Sequence, residues 1–198
     1  MRKLVLKMSV SLDGFVSGPN GEADWIHRTG GDDTLEWLID TLWQAGVHAI
    51  GSRSYHAMAA FYPYSELPFA APMNDIPKVV FTRKGLPDLQ GDRIDGSDTS
   101  QPDRGSWANP IVASGDFCDE IARLKAQPGK HILAHGGANF AQELSARGLI
   151  DEYKLMVHPV ALGRGLPLFS GLSEPVDLKL VSSQTFKAGA IALVYRPV

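Results

Sequence analysis

The residues best suited to chemistry are Ala134-His135-Gly136-Gly137-Ala138-Asn139. An apolar run, His131-Ile132-Leu133-Ala134, feeds into the paired glycines, and these open the amphipathic pattern Phe140, Ala141, Leu144. A strand, a glycine turn and a helix therefore follow without a gap. Such a turn has no Cβ to block a close ligand, and the N–H groups at the helix start favour an anion. The phosphates of a cofactor fit there, although a bare Gly-Gly pair also serves as a plain tight turn. Gly51-Ser52-Arg53-Ser54-Tyr55 follows a second apolar run and offers backbone donors, hydroxyls and a fixed positive charge at another strand-to-helix junction. Thr82-Arg83-Lys84 sits at the same end of a third run. If those two strands are neighbours, Arg53 and Arg83 converge on one phosphate monoester, such as the 2′-phosphate that separates NADPH from NADH.

Weaker candidates lie between. In Asp24-Trp25-Ile26-His27, Trp25 is placed to stack on a flat ring and His27 or Asp24 to supply a proton, with Trp25 as ordinary core the competing assignment. His131 and His135 are four apart, a spacing that matters on a helix, but they fall on an expected strand with no third ligand, so no metal site is expected.

The elements that must position these residues read out in order. Leu6 to Leu12 alternates strictly and predicts a strand with one buried face, ended by Asp13-Gly14. Asp33-Thr34-Leu35-Glu36 has capping-box spacing, and Leu35, Leu38, Ile39 and Leu42 continue at helical intervals to Gly46. Val47–Ile50, Lys78–Phe81 and Pro110–Ala113 read as strands. Phe117, Ile121 and Leu124 form a helix face that stops at Pro128-Gly129. Strands follow near 152–160, 178–186 and 190–196. The pattern predicts a three-layer α/β/α domain with a mostly parallel mixed sheet and an antiparallel C-terminal edge. Phe61–Pro77 is expected to wall a pocket, and the polar segment Leu86–Trp107 to be a mobile surface insertion.

With 198 residues and 44% hydrophobic content, the chain is expected to be one domain over 1–198. A net charge of -3 and a pI near 6.0 give no reason to expect nucleic acid or an anionic membrane, so the partner is a small molecule. Cys118 alone excludes an intramolecular disulfide framework. Lys7 and Asp13 interrupt any signal-peptide core, and no apolar run approaches the ~20 residues that span a bilayer. A cytoplasmic protein is expected. The apolar content of the last two strands, Leu178, Leu180, Val181, Phe186, Ile191, Leu193 and Tyr195, suggests an edge covered by a second copy, a homodimer.

Ser11, Gly51, Thr82 and Gly136 all stand at strand ends, where open α/β sheets bind ligands, yet no Gly-x-Gly-x-x-Gly follows the first strand, which disfavours a standard Rossmann dehydrogenase. Val10 to Val16, Gly51 to Tyr55, Gly136-Gly137-Ala138, Leu149 to Glu152 and Pro159 to Phe169 together resemble the dihydrofolate-reductase-like family that includes the reductase domain of riboflavin biosynthesis. The resemblance implies the dihydrofolate-reductase-like fold, NADPH bound across the strand ends, hydride transfer to a pterin- or pyrimidine-like heterocycle, and often a homodimer. Gly51, Ser52, Arg53 and Ser54 match the family's cofactor-phosphate turn, Thr82 and Arg83 its adenosine-side contacts, and Gly136, Gly137, Ala138 and Asn139 its pyrophosphate turn. Ser11 and Asp13 end the first strand, where Asp13 matches an acid beside the nicotinamide pocket and competes with a turn role before Gly14.

The departures bear on substrate. The first helix offers Glu36 and Asp40 without the pattern that surrounds the folate-recognising carboxylate. His135 stands where riboflavin reductases carry an acidic residue, and the deaminase domain often fused to that reductase is absent. The expected activity is an NADPH-dependent reduction of a small heterocycle, with the proton from Asp13, an ordered water or His27. A riboflavin-pathway reductase and a non-catalytic dinucleotide-binding module are the alternatives.

Overall fold

The alternating N-terminal run forms strand β1 (Leu4–Ser11), and in the computed structural model, which describes residues 1–84 and 105–198, it lies inside an eight-stranded sheet. Its neighbours are β6 (His131–Ala134) and β7 (Glu152–His158), both parallel to it. Beyond β6 lie β3 (Ala45–Gly51), β4 (Lys78–Phe81) and β5 (Ile111–Ala113), all parallel. Beyond β7 lie β10 (Ile191–Pro197), antiparallel to both neighbours, and the edge strand β9 (Leu178–Thr185). The expected mixed sheet with an antiparallel C-terminal edge is present. A two-stranded clip of β2 (Phe15–Ser17) and β8 (Leu166–Pro167) folds the 160s over the end of β1.

Each face of the sheet buries its own apolar set. Leu4, Leu6, Met8 and Val10 of β1 pack with Ile121 and Leu124 of helix α4 (Phe117–Ala126) and with Phe140, Ala141 and Leu144 of α5 (Ala138–Ala146). Val5, on the opposite face, packs with Leu42 of α1 (Asp32–Trp43), Tyr55 and Ala59 of α2 (Ser52–Phe61) and Met73 of α3 (Ala70–Asp75). Three layers result. The expectation that Asp33 caps α1 with Glu36 is corrected: Gly31 is the cap, its N–H donates to Thr34 Oγ1 at 2.8 Å, and Glu36 is exposed. Asp33 instead accepts from Thr34 N and, across the chain, from Lys187 N. Of the polar segment 86–107, residues up to 104 lie outside the described ones. Its end is core rather than surface, because Trp107 is buried and donates from Nε1 to Asn74 Oδ1 at 2.8 Å. Among the described residues no helix is long and apolar enough to cross a membrane.

Candidate functional site

Because β1, β3, β4 and β6 run parallel, the four strand ends singled out above share one edge of the sheet. Strand β3 passes straight into α2 with Gly51 as the helix cap, and β6 passes through His135-Gly136 into α5 with Gly137 as the cap. Neither cap has a side chain, so no side-chain oxygen takes up the first N–H groups of either helix. The two helix starts touch. Gly51 N–H donates to Gly136 O at 3.3 Å, a Cβ on Gly137 would stand 2.8 Å from Ser54 Oγ, and one on Gly51 would stand 3.2 Å from Phe140 Cβ. Gly136 has φ +86 and leaves no room beside Met8 Sδ, and the Gly136-Gly137 peptide is cis. The tight packing itself requires these glycines, and its product is two sets of helix N–H groups, from Ser52 to Ser54 and from Ala138 to Asn139, gathered at one edge. Thr82 is buried, its N–H donating to Ala113 O at 3.1 Å and its Oγ1 accepting from Lys84 N. Arg53 and Arg83 are exposed, each two residues beyond the paired positions Gly51 and Phe81.

Asp13 has another task. Its carboxylate accepts from Ser11 Oγ at 2.6 Å, Gly163 N at 2.7 Å and Leu162 N at 3.1 Å, and these bonds, Ser11 first, hold its pKa down to about 2. Ser11 Oγ also accepts from Phe15 N. Through these bonds Asp13 pins the 160s loop to the end of β1.

The sheet face under α1 holds a cavity of about 390 Å³. Its floor is the polar side of β1, Lys7 and Ser9, together with Met156 and His158 of β7. The start of α1, Leu35 and Leu38 form one wall, and Leu67, Pro68 and Phe69 the other. The proline-rich segment therefore walls a pocket as expected. His27 lines the cavity. Trp25 is buried, its ring meets that of His158 in a T-shaped contact at 5.3 Å, and it does not line the cavity. Glu36 and Asp40 are exposed and stay outside it.

Lys7, His158, His135 and His48 are pushed toward their neutral forms. Burial lowers the Lys7 pKa to about 8. Burial, then Lys7 and His27, lowers His158 to about 4. His135, the residue before the glycine turn, is pushed well below its ordinary range by burial and by His48, Lys7 and Lys78. His48 is fully buried and contacts Pro72 O through Nε2 at 3.1 Å, while its Nδ1 meets His135 Nε2. A carbonyl only accepts, so His48 carries its proton on Nε2 and accepts at Nδ1 from His135 Nε2–H. The His48 ring thus fixes His135 beside the glycine turn. Further along the same face, Lys78 is buried, bonded to Ile76 O and Ser106 Oγ and 4.3 Å from the Trp107 ring, and burial lowers its pKa to about 7. Among the described residues no group of three metal-ligating side chains is gathered.

A family model of the RibD C-terminal domain matches residues 2–192. The chain belongs to the RibD C-terminal domain family. It is 30% identical over 194 residues to YyaP of Bacillus subtilis, an uncharacterized protein, covering 98% of this chain and 94% of that one. Its fold matches a putative riboflavin biosynthesis protein of Shewanella sp. PV-4 with a TM-score of 0.71 at 20% identity and 99% of each chain. It also matches a diaminohydroxyphosphoribosylaminopyrimidine deaminase/5-amino-6-(5-phosphoribosylamino)uracil reductase of Thermotoga maritima, TM-score 0.68 at 18% identity, covering all of this chain and 57% of that one. Dihydrofolate reductase of Enterococcus faecalis, complexed with NADP(H), shares the fold at a TM-score of 0.58 and 13% identity over 98% and 96% of the two chains. The dihydrofolate-reductase-like resemblance of the sequence is thereby shown, and the family supports an oxidoreductase.

Within this RibD-like domain the sequence reading missed Lys7, Ser9, His48 and His158. Their signal was present in the wrong frame. Lys7, Ser9 and Ser11 are the polar half of an alternating strand, which reads as a solvent face, but β1 lies fourth from one end of the sheet with helices over both faces. A polar row on such a strand lines an internal space.

Proposed function

We propose that this protein is an NADPH-dependent reductase of a small nitrogen heterocycle, pterin- or pyrimidine-like, bound in the cavity over β1. The observation that carries the reading is His135: its backbone enters the glycine turn, its Nε2 meets His48 Nδ1 and its titration feels the charge of Lys7 on the cavity floor, which relates the anion-binding edge to the cavity beside it. The edge fits the cofactor. Its uncapped helix starts at Ser52–Ser54 and Ala138–Asn139 suit a pyrophosphate, and the close packing that Gly51 and Gly137 allow brings the two starts together. Arg53 and Arg83 supply the charge for a 2′-phosphate, with Ser11 and Thr82 at the neighbouring strand ends.

NADPH, when bound, supplies a hydride. The chain's residues do the rest. Lys7, an ammonium with its pKa lowered toward neutrality, donates a hydrogen bond to a ring carbonyl or nitrogen and gives it the proton that reduction requires. Solvent reprotonates the amine. The neutral histidines on either side add no competing positive charge, and Leu35, Leu38 and Phe69 hold a flat ring and exclude water.

Membership in the RibD family favours, as a second reading, the reduction of a phosphoribosylamino-pyrimidine. The test is NADPH consumption by the purified protein with a panel of pterins and pyrimidines. Turnover with one class confirms a reductase. NADPH binding without turnover on any of them returns the protein to a dinucleotide-binding module.

A further inference from the structure

Resting on the reading of the cavity as the substrate site, we infer that it takes an unphosphorylated ring with an imide or lactam edge, of the pyrimidinedione or pteridinone kind, and not a sugar phosphate. His158 is the first reason. Its ring is buried and fixed, with Nδ1 bonded to Thr29 Oγ1 at 2.6 Å and the edge of Trp25 against it, yet Nε2 has no partner. A neutral imidazole nitrogen held this way has one hydrogen bond left for a ligand. Lys7 supplies the second polar point on the same floor. An ammonium needs an acceptor and the imidazole pairs with one adjacent N–H or C=O, and a –CO–NH– edge presents both on one rigid plane between apolar walls.

The second reason is the charge around the opening. No arginine lines the cavity among the described residues, and the acidic residue that does, Asp32, sits at the start of α1. That helix start is the place where a phosphate would otherwise bind. Here the chain has already filled it: Gly31 N–H is taken by Thr34 Oγ1, Thr34 N–H by Asp33 Oδ1 at 3.0 Å, and both Asp32 and Asp33 stand in the first turn. A phosphate there would meet two carboxylates and find the Gly31 and Thr34 donors occupied. The contrast with α2 and α5, whose starts are uncapped and carry no acid in the first turn, is internal to the same molecule. One side of the site is built for phosphate and the other against it.

The experiment is calorimetric titration of the intact protein with lumazine and 5-aminouracil as unphosphorylated rings, and with uridine and UMP as a pair that differs by one phosphate. Lumazine is expected to bind and to be indifferent to millimolar inorganic phosphate, and UMP to bind no tighter than uridine. His158→Phe should weaken lumazine about tenfold, the loss of one net hydrogen bond, and leave NADPH affinity unchanged. Should His158→Phe fold poorly, Asp32→Lys, an exposed change, carries the test and should raise the preference for UMP over uridine about fivefold. Tighter binding of UMP than uridine by tenfold or more, competition by inorganic phosphate, or no binding of either unphosphorylated ring overturns the inference. Reductase turnover confined to phosphorylated substrates would sink it while sparing the reductase, whereas lumazine binding with these preferences and no NADPH consumption would do the reverse.

Discussion

Replacing Lys7 by Met is expected to make the protein more stable and nearly inactive at once. The lysine is partly buried, its pKa falls from 10.5 to about 8 through desolvation, and no carboxylate is paired with it among the described residues. At about 1.4 kcal/mol for each decade of lost proton affinity, the folded state carries a penalty of about 3 kcal/mol for that charge. The sign follows from proton uptake. Between pH 8 and 10.5 the unfolded chain holds this proton and the native one does not, so the penalty is full below pH 8 and disappears as pH rises to 10.5. Methionine keeps the aliphatic stem and drops the charge. At pH 7 its melting temperature should exceed that of the native protein by about 6–10 °C, and the difference should shrink above pH 10. Turnover should fall by about 10²–10⁴-fold, the usual contribution of a positioned acid. The native kcat/KM should decline as pH rises through about 8, and that limb should vanish in the variant. Thermal melts at pH 7 and 10.5 with a pH profile of NADPH oxidation supply the readouts. A variant that is less stable at pH 7, or one that keeps its turnover, refutes the assignment of Lys7 as an unpaired buried acid.

Arg53→Ala should weaken NADPH about tenfold or more and leave NADH nearly unchanged, and calorimetry showing equal losses would remove Arg53 from the 2′-phosphate. Gly137→Val, whose Cβ would sit 2.8 Å from Ser54 Oγ, should abolish measurable NADPH binding; a folded variant of native affinity would make the turn purely structural. His158 and His48, with pKa values lowered to about 4 and about 3, stay neutral in the native state while the unfolded chain protonates near 6.5, so stability should be level above pH 6.5 and fall steadily toward pH 4. Denaturant midpoints that stay flat from pH 7 to 4.5 would contradict that. The edge strand β9 is exposed from Lys179 to Thr185, including Leu180 and Val181, and a homodimer across it should scatter as twice 21.4 kDa, reverting to 21.4 kDa on Leu180→Lys. A native mass of 21.4 kDa at micromolar concentration places the homodimer out of reach.

What the sequence made legible follows from range. The bounds of β4 are those read from Lys78-Val79-Val80-Phe81, and both glycine junctions stand where the apolar runs stop, because a strand end, a Cβ-free turn and a helix start are specified by residues a few positions apart. The start of α1 slipped for the same local reason: Asp33 and Glu36 satisfy a capping pattern in sequence, but Gly31 and Thr34 satisfy it in space, which frees Asp33 to reach Lys187 N. The cavity had no local signature. Thr29 and His158 are 129 residues apart, and His48 and His135 are 87 apart. Only the crossover that brings β6 and β7 to either side of β1 joins Thr29 and His158 in the cavity lining and sets His135 beside His48.

That topology also decides what the polar row on β1 means. An edge strand with Lys-x-Ser-x-Ser would turn those side chains to water at little cost. On a strand flanked by parallel neighbours and covered by helices, the same side chains must be hydrogen-bonded or face a ligand, since an unpaired buried polar group costs about 1–3 kcal/mol. Ser11 meets the requirement through Asp13 and Phe15, and His48 through Pro72. Lys7 and His158 Nε2 do not meet it within the described chain, and both residues line the cavity. The parts of the row nearest the strand end are therefore structural, and the parts that line the cavity are where a substrate completes the set.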